Sequence, residues 1–231
     1  MKLDIVLPHE NFRGLSYGEW ATEWTRWLFS DDPTYNGEDI LFLRGNVNYG
    51  PIGGEEGGPQ YLDPKAIYYR TGKNREIIFE NTSICIGIFT STFSLGEIYE
   101  GRKISSIPYL RYIANKDTDG GSIWATITKK GEKTTRIVRD LIKYRFESPL
   151  FLLSVPKNSK LRKKMDYPPD PGSYYTITVG YFVILKWLPP GIYRFRFGGN
   201  NASAYHTDSV YDVEVVKKIK DKVVDKSGII R

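Results

Sequence analysis

Cysteine and histidine are nearly missing: 231 residues contain one cysteine, Cys85, and two histidines, His9 and His206. One thiol excludes an internal disulfide and any multi-cysteine zinc site. Cys85 lies in an apolar run, residues 82–89, and reads as a small buried hydrophobe. The histidines stand far apart, without ligand spacing to acids or to Cys85, so no metal and no other cofactor is expected. No apolar run approaches the roughly 18 residues of a membrane-crossing helix. The start, residues 1–8, is too short for a secretory signal, and Asp4 interrupts it.

Motifs of catalysis are equally scarce. No Gly-x-Ser-x-Gly elbow occurs. The glycine-rich stretch 49–59 is acidic, precedes no Lys-Ser/Thr and opens no helix, so it lacks what a phosphate cradle needs. Residues 115–120 begin like a calcium loop, but the twelfth position is Thr126 instead of a bidentate glutamate, and a hairpin turn is expected there. No period of 20 to 50 residues repeats, which argues against solenoids and propellers. No Gly/Ser/Pro-rich linker divides the chain. One domain over residues 12–216 is expected, between an N-terminal arm, 1–11, and a basic tail, 217–231.

What the sequence does hold is aromatic. It has 17 Tyr, 11 Phe and 5 Trp in a 40% hydrophobic chain, enough for a large core, with a mild net charge of +6. The organising stretch is residues 176–199. Two apolar, β-branched and aromatic runs flank Leu188-Pro189-Pro190-Gly191, where proline presets φ and glycine permits positive φ, so a hairpin is expected. Tyr193, Phe195 and Phe197 alternate with Arg194 and Arg196, the period of a half-buried strand, whereas 181–185 is apolar on both faces. Further strands are expected at 40–44, 66–69, 76–79, 84–89, 122–128, 134–139, 144–155 and 210–216. Residues 104–113 are ambiguous, and His206 is placed in a loop. One helix is clear, at residues 16–29. Ser16 and Glu19 form a capping box, and Trp20, Trp24, Trp27 and Leu28 make one apolar stripe that must dock on a sheet or a partner. These elements predict a mainly β fold: an antiparallel two-sheet sandwich, jelly-roll or immunoglobulin-like, with the tryptophan helix packed on it.

Four motifs occur in order: Tyr17-Gly18-Glu19-Trp20 with Trp24 and Trp27; Lys65-Ala66-Ile67-Tyr68-Tyr69; residues 144–151, Tyr-Arg-Phe-Glu-Ser-Pro-Leu-Phe; and Leu188-Pro189-Pro190-Gly191 with Phe197-Gly198-Gly199. In this the chain resembles a poorly characterised β-sandwich family of bacterial, environmental and marine-phage genomes, with a Tyr-Gly-Glu-Trp helix and a Leu-Pro-Pro-Gly hairpin. The resemblance spans about residues 12–216. It implies a sandwich and brings no established activity, and the cysteine that family members carry after the helix is missing from residues 36–50.

The function expected is therefore that of a non-catalytic structural subunit of a larger assembly, such as a capsid, decoration or other virion protein of a phage or virus. Its partners would be other protein subunits, gripped by Leu3, Ile5 and Val6 of the arm and by Lys217, Lys218, Ile219, Lys220, Val223, Ile229 and Ile230 of the tail. The expected location is a virion or other particle, otherwise the cytoplasm. The alternative is a carbohydrate-binding sandwich with Tyr167, Tyr174, Tyr175, Tyr205 and Tyr211 as stacking residues. Nucleic-acid binding through Lys157, Lys160, Arg162, Lys163, Lys164 and the tail is disfavoured by 27 acids against 33 bases. A hydrolase would need two distant carboxylates brought together.

Overall fold

The computed structural model describes residues 3–30, 40–44, 68–70, 75–119, 121–133, 135–158, 171–201 and 206–217. In chain order these form α1 (Tyr17–Phe29), β1 (Ile40–Arg44), β2 (Tyr68–Arg70), β3 (Glu76–Phe79), β4 (Ser83–Ser94), β5 (Ile98–Tyr99) and β6 (Arg102–Lys103). Then come α2 (Ile107–Asp117), β7 (Ile123–Lys129), β8 (Thr135–Ile137), β9 (Arg145–Glu147), β10 (Phe151–Val155), β11 (Gly172–Leu185), β12 (Gly191–Asn200) and β13 (His206–Val216).

The fold is mainly β, with two sheets packed together in a sandwich-like architecture. The first runs β1-β4-β11-β10, with β9 also on β11; the second runs β2-β13-β12-β7-β8, with β3 also on β13. Alternation decides which residues meet between them. Tyr193, Phe195 and Phe197 of β12 are buried with Tyr211, Val213 and Val215 of β13, in one cluster with Ile84, Ile86 and Ile88 of β4. On the outer face of the same strands, Arg194 pairs bidentately with Asp212 at 2.8 and 3.0 Å, and Arg196 with Asp208 at 3.2 and 2.7 Å.

α1 covers the face of the first sheet turned away from the second. Its capping box forms as the sequence dictates, with the Ser16 N–H donating to Glu19 Oε2 at 2.7 Å. Trp24 stands edge-on to Phe182, and its indole N–H reaches the Leu43 carbonyl at 2.9 Å. It lies directly over Gly87, where a Cβ would come within 2.6 Å of the ring. Beside it a row of hydroxyls joins helix to sheet: buried Thr25 to buried Thr178 at 2.7 Å, and Thr178 to half-buried Thr92 at 2.9 Å.

Several expectations need correction. The sheets are mixed, because β1 runs parallel to β4, and β2 and β3 run parallel to β13. A second helix, α2, occupies the ambiguous region. It starts on a Ser106 cap with Pro108 in its first turn and ends over the residues expected to form a calcium-loop-like turn. Its Leu110, Ile113 and Ala114 pack on Ile177 and Val179 of β11 in a second core cluster. His206 opens β13 instead of lying in a loop.

Leu188-Pro189-Pro190-Gly191 is not a hairpin either. β11 and β12 lie in different sheets, so the segment carries the chain between them, with Gly191 at φ +149°. The cause is occupancy. β4 takes one side of the end of β11, and the N-terminal segment takes the other. Val6 N–H donates to Ile184 O at 3.0 Å, Lys186 N–H donates to Asp4 O at 2.9 Å, and Ile5 bridges Leu185.

Candidate functional site

Two of the four motifs, Tyr17-Gly18-Glu19-Trp20 and residues 144–151, meet on one surface. The stacked rings of Tyr17 and Phe146, 4.5 Å apart with planes 5° from parallel, join the start of α1 to β9. Gly18 sits against the same strand, where a Cβ would lie 2.7 Å from the Glu147 carbonyl oxygen, so any larger residue would push the helix off. The Tyr17 hydroxyl donates to Val6 O at 2.8 Å and accepts from Ile184 N–H at 3.3 Å, riveting the N-terminal segment to β11. Burial pushes that phenol well above its usual range. Around this joint lies an open cleft of about 430 Å³ lined by residues including His9, Glu10, Asn11, Arg111, Glu147 and Pro149.

The polar groups of the cleft are largely engaged within the chain. Glu147 accepts from Arg111 through one carboxylate oxygen and from Asn115 Nδ2 through the other, the latter at 2.8 Å. Glu10 accepts from the Leu7 N–H at 3.1 Å. Ser148 Oγ accepts from Thr178 N–H at 3.0 Å. At the helix start Glu19 is held below the usual carboxylate range by the Ser16 N–H and hydroxyl. Arg145 extends the network to α2, donating to Asn115 O and Thr118 Oγ1, each at 3.0 Å. These bonds orient three elements around the cleft. Among the described residues, no group of three or more His, Cys, Asp and Glu side chains converges to hold a metal ion.

A second polar region lies at the far end of α2. The Ser91 hydroxyl donates to Asp117 Oδ2, while burial raises the Asp117 carboxyl. Tyr99 is pushed up to about 12 by burial first and by the Asp117 charge next. Nearby, Glu97 is withdrawn from water, with 4% of its surface exposed. Burial pushes it up to about 8 against bonds from Ser94, and its Oε2 has no hydrogen-bond partner. Cys85 is fully buried, and burial alone raises its thiol.

The arm residues expected to grip a partner are engaged at home. Val6 is 1% exposed in the chain's own core, and Leu3 and Ile5 pack against that core. This corrects the idea of a free N-terminal arm: the open side of β11 attracts the segment and buries Val6. Lys217 is exposed. Lys218, Ile219, Lys220, Val223, Ile229 and Ile230 lie outside the described residues, as do Lys160, Arg162, Lys163, Lys164, Tyr167 and Tyr205.

Of the remaining tyrosines weighed for sugar stacking, Tyr174 packs against the core and Tyr211 is buried, its hydroxyl donating to Arg44 O at 3.0 Å. Only Tyr175 among the described ones is exposed. Sequence reading passed over Arg111, Asn115 and Glu97. The Ser106 cap and the Leu110, Ile113, Ala114 spacing were the signals that could have located α2 and hence the first two; nothing in the local sequence marks Glu97 as buried. Among the described residues, no helix is long and apolar enough to cross a membrane. The chain matches no family model, no curated protein and no solved structure.

Proposed function

We propose that this chain is a non-catalytic structural subunit of a larger assembly, of the kind that builds a phage or virus particle. One observation carries the reading: both sheets present adjacent pairs of large apolar side chains to solvent at their edges. In the second sheet the pair is Ile77 and Phe79 of β3; in the first it is Leu152 of β10 beside its register partner Tyr175. Single exposed hydrophobes are ordinary. Adjacent pairs along edge strands are different, because a chain that stays alone protects such edges with charge, proline or a bulge.

The cleft lends support, since its polar groups serve the fold: Glu147 ties β9 to α2, and the Tyr17 hydroxyl ties α1 to the N-terminal segment and β11. The finer description, a jelly-roll or immunoglobulin-like sandwich serving as a capsid, decoration or other virion protein, belongs to the same proposal. The N-terminal segment serves the chain's own fold, so contact with neighbours falls to the edges, the loops and the C-terminal segment. Native mass measurement of the full chain tests the reading, with multiples of 26.5 kDa expected. A monomer at every concentration, or turnover of a polysaccharide or nucleotide abolished by Glu147→Gln, overturns it.

A further inference from the structure

We propose that the β5–β6 hairpin is a pH-operated flap, latched by the buried carboxyl of Glu97 and released when that carboxyl loses its proton. The inference is independent of the assembly reading. It concerns residues 96–105, the segment between the end of β4 and the start of α2.

The segment has little structure of its own. β5 and β6 make a sheet of two strands by themselves, and such a hairpin is marginal without outside support. Its tight turn holds Glu100 and Gly101 at φ +47° and +73°. At the base, the Gly96 N–H donates to Ile104 O at 2.8 Å, and the Ile104 N–H donates to Glu97 O at 2.7 Å. Gly96, at φ +97° with open space around it, supplies a hinge.

Side chains fasten the hairpin to the body. Ile104 is fully buried in the cluster beneath α2, and Tyr99 stands edge-on to Phe93 at 5.3 Å. Glu100 meets Lys116 at 3.3 Å in an exposed pair, which adds little in water. The remaining fastening is Glu97. Its carboxyl is served by the backbone and hydroxyl of Ser94, which is tied in turn to Thr176 of β11 at 2.8 Å, while Oε2 has no partner. A neutral acid tolerates that setting, but a carboxylate with no cation beside it does not.

Among the described residues, no charged group on the surrounding elements bonds to Glu97. Glu100 and Lys116 pair with each other, Arg111 turns to Glu147 of β9, and Arg102 and Lys103 are exposed. Asp117 takes the Ser91 hydroxyl. Of the phenols, Tyr99 faces Phe93, Tyr109 stacks on Tyr112, Tyr174 packs against the main core and Tyr175 is exposed. Burial lifts the Glu97 carboxyl from an ordinary 4.5 to about 8. Between those values the closed flap keeps a proton that the open flap has given to solvent, so opening rises about tenfold per pH unit. Opening parts Tyr99 from Phe93 and brings Ile104 to water, which uncovers an apolar surface under α2.

Native-state hydrogen exchange of the full chain between about pH 5 and pH 8 tests this through the Gly96 and Ile104 amides. Hydroxide catalysis alone gives the logarithm of the rate a slope of about one against pH, and an opening that releases one proton gives about two. Wild type is expected to show about two at both amides, unmoved by urea too dilute to unfold the chain, and Glu97→Gln about one. A wild-type slope of about one at both amides overturns the latch. Rates that climb with dilute urea as steeply as that of a core amide such as Phe195 mean that only whole-chain unfolding frees the segment, and overturn the flap. A slope of about two that survives in Glu97→Gln assigns the proton elsewhere, to Asp117 first, and overturns the role of Glu97.

Discussion

Replacing Glu97 by glutamine should flatten the pH dependence of stability through neutrality. Glu97 lies in the turn after β4, where its carbonyl accepts from Ile104 N–H at 2.7 Å and its side chain is 4% exposed. Burial lifts the carboxyl from an ordinary 4.5 to about 8, so the folded chain keeps a proton that the unfolded chain has already released. Across that interval the unfolded state binds fewer protons, and stability therefore falls as pH rises, by about 1.4 kcal/mol per pH unit. From pH 5 to pH 8 the loss attributable to Glu97 is roughly 4 kcal/mol. Below the lower value both states are protonated, above the higher both are ionised, and this residue adds no slope.

Glutamine reproduces the shape and hydrogen-bonding pattern of the protonated acid without the titration. Urea unfolding of wild type and Glu97→Gln at successive pH values should give midpoints that draw apart as pH rises, the variant becoming the more stable. Asp117, also raised by burial, titrates in both proteins and cancels in the difference. Parallel curves between pH 5 and pH 8 would refute the reasoning.

Three further outcomes follow from packing and charge. Gly87→Ala sets a methyl 2.6 Å from the Trp24 indole; thermal or urea unfolding should show a loss of about 1–3 kcal/mol, the usual cost of overpacking. Arg196→Ala strands Asp208, whose side chain is 6% exposed while the arginine is 55% exposed; the loss should be about 1–3 kcal/mol, and Arg196→Ala combined with Asp208→Asn should recover part of it in a double-mutant cycle. Deleting residues 1–7 removes Asp4, whose carbonyl accepts from the Lys186 N–H; hydrogen exchange should show the Lys186 amide losing protection, whereas a free arm would leave it unchanged.

Local chemistry was legible and long-range pairing was not. The α1 cap and tryptophan stripe, the strand Ile40–Arg44, and the Tyr193, Phe195, Phe197 alternation each rest on neighbours within a few residues, and each is present. α2 escaped because Ile107 and Tyr112 are apolar yet exposed, which blurs the stripe that Leu110, Ile113 and Ala114 make. The Pro-Pro-Gly segment read as a hairpin because proline and glycine mark a change of direction, not which strand comes next. The end of β11 is filled by β4 and by residues 4–6, partners distant in sequence that no local pattern reveals. The cleft was half legible. Its motifs were visible as words, but Arg111 and Asn115 enter only once α2 is a helix, and the parallel pairings depend on connections without a turn signature.

The passage between sheets at Leu188-Pro189-Pro190-Gly191 belongs to a larger weave. β1 lies in the first sheet, β2 and β3 in the second, β4 in the first, β7 and β8 in the second, β9 to β11 in the first, and β12 and β13 in the second. Neither layer is an uninterrupted length of polypeptide, so no single proteolytic nick can release one of them whole. A break in any connecting loop leaves both layers stitched to each other, and a fragment from either side of the cut inherits strands whose partners stay with the other piece.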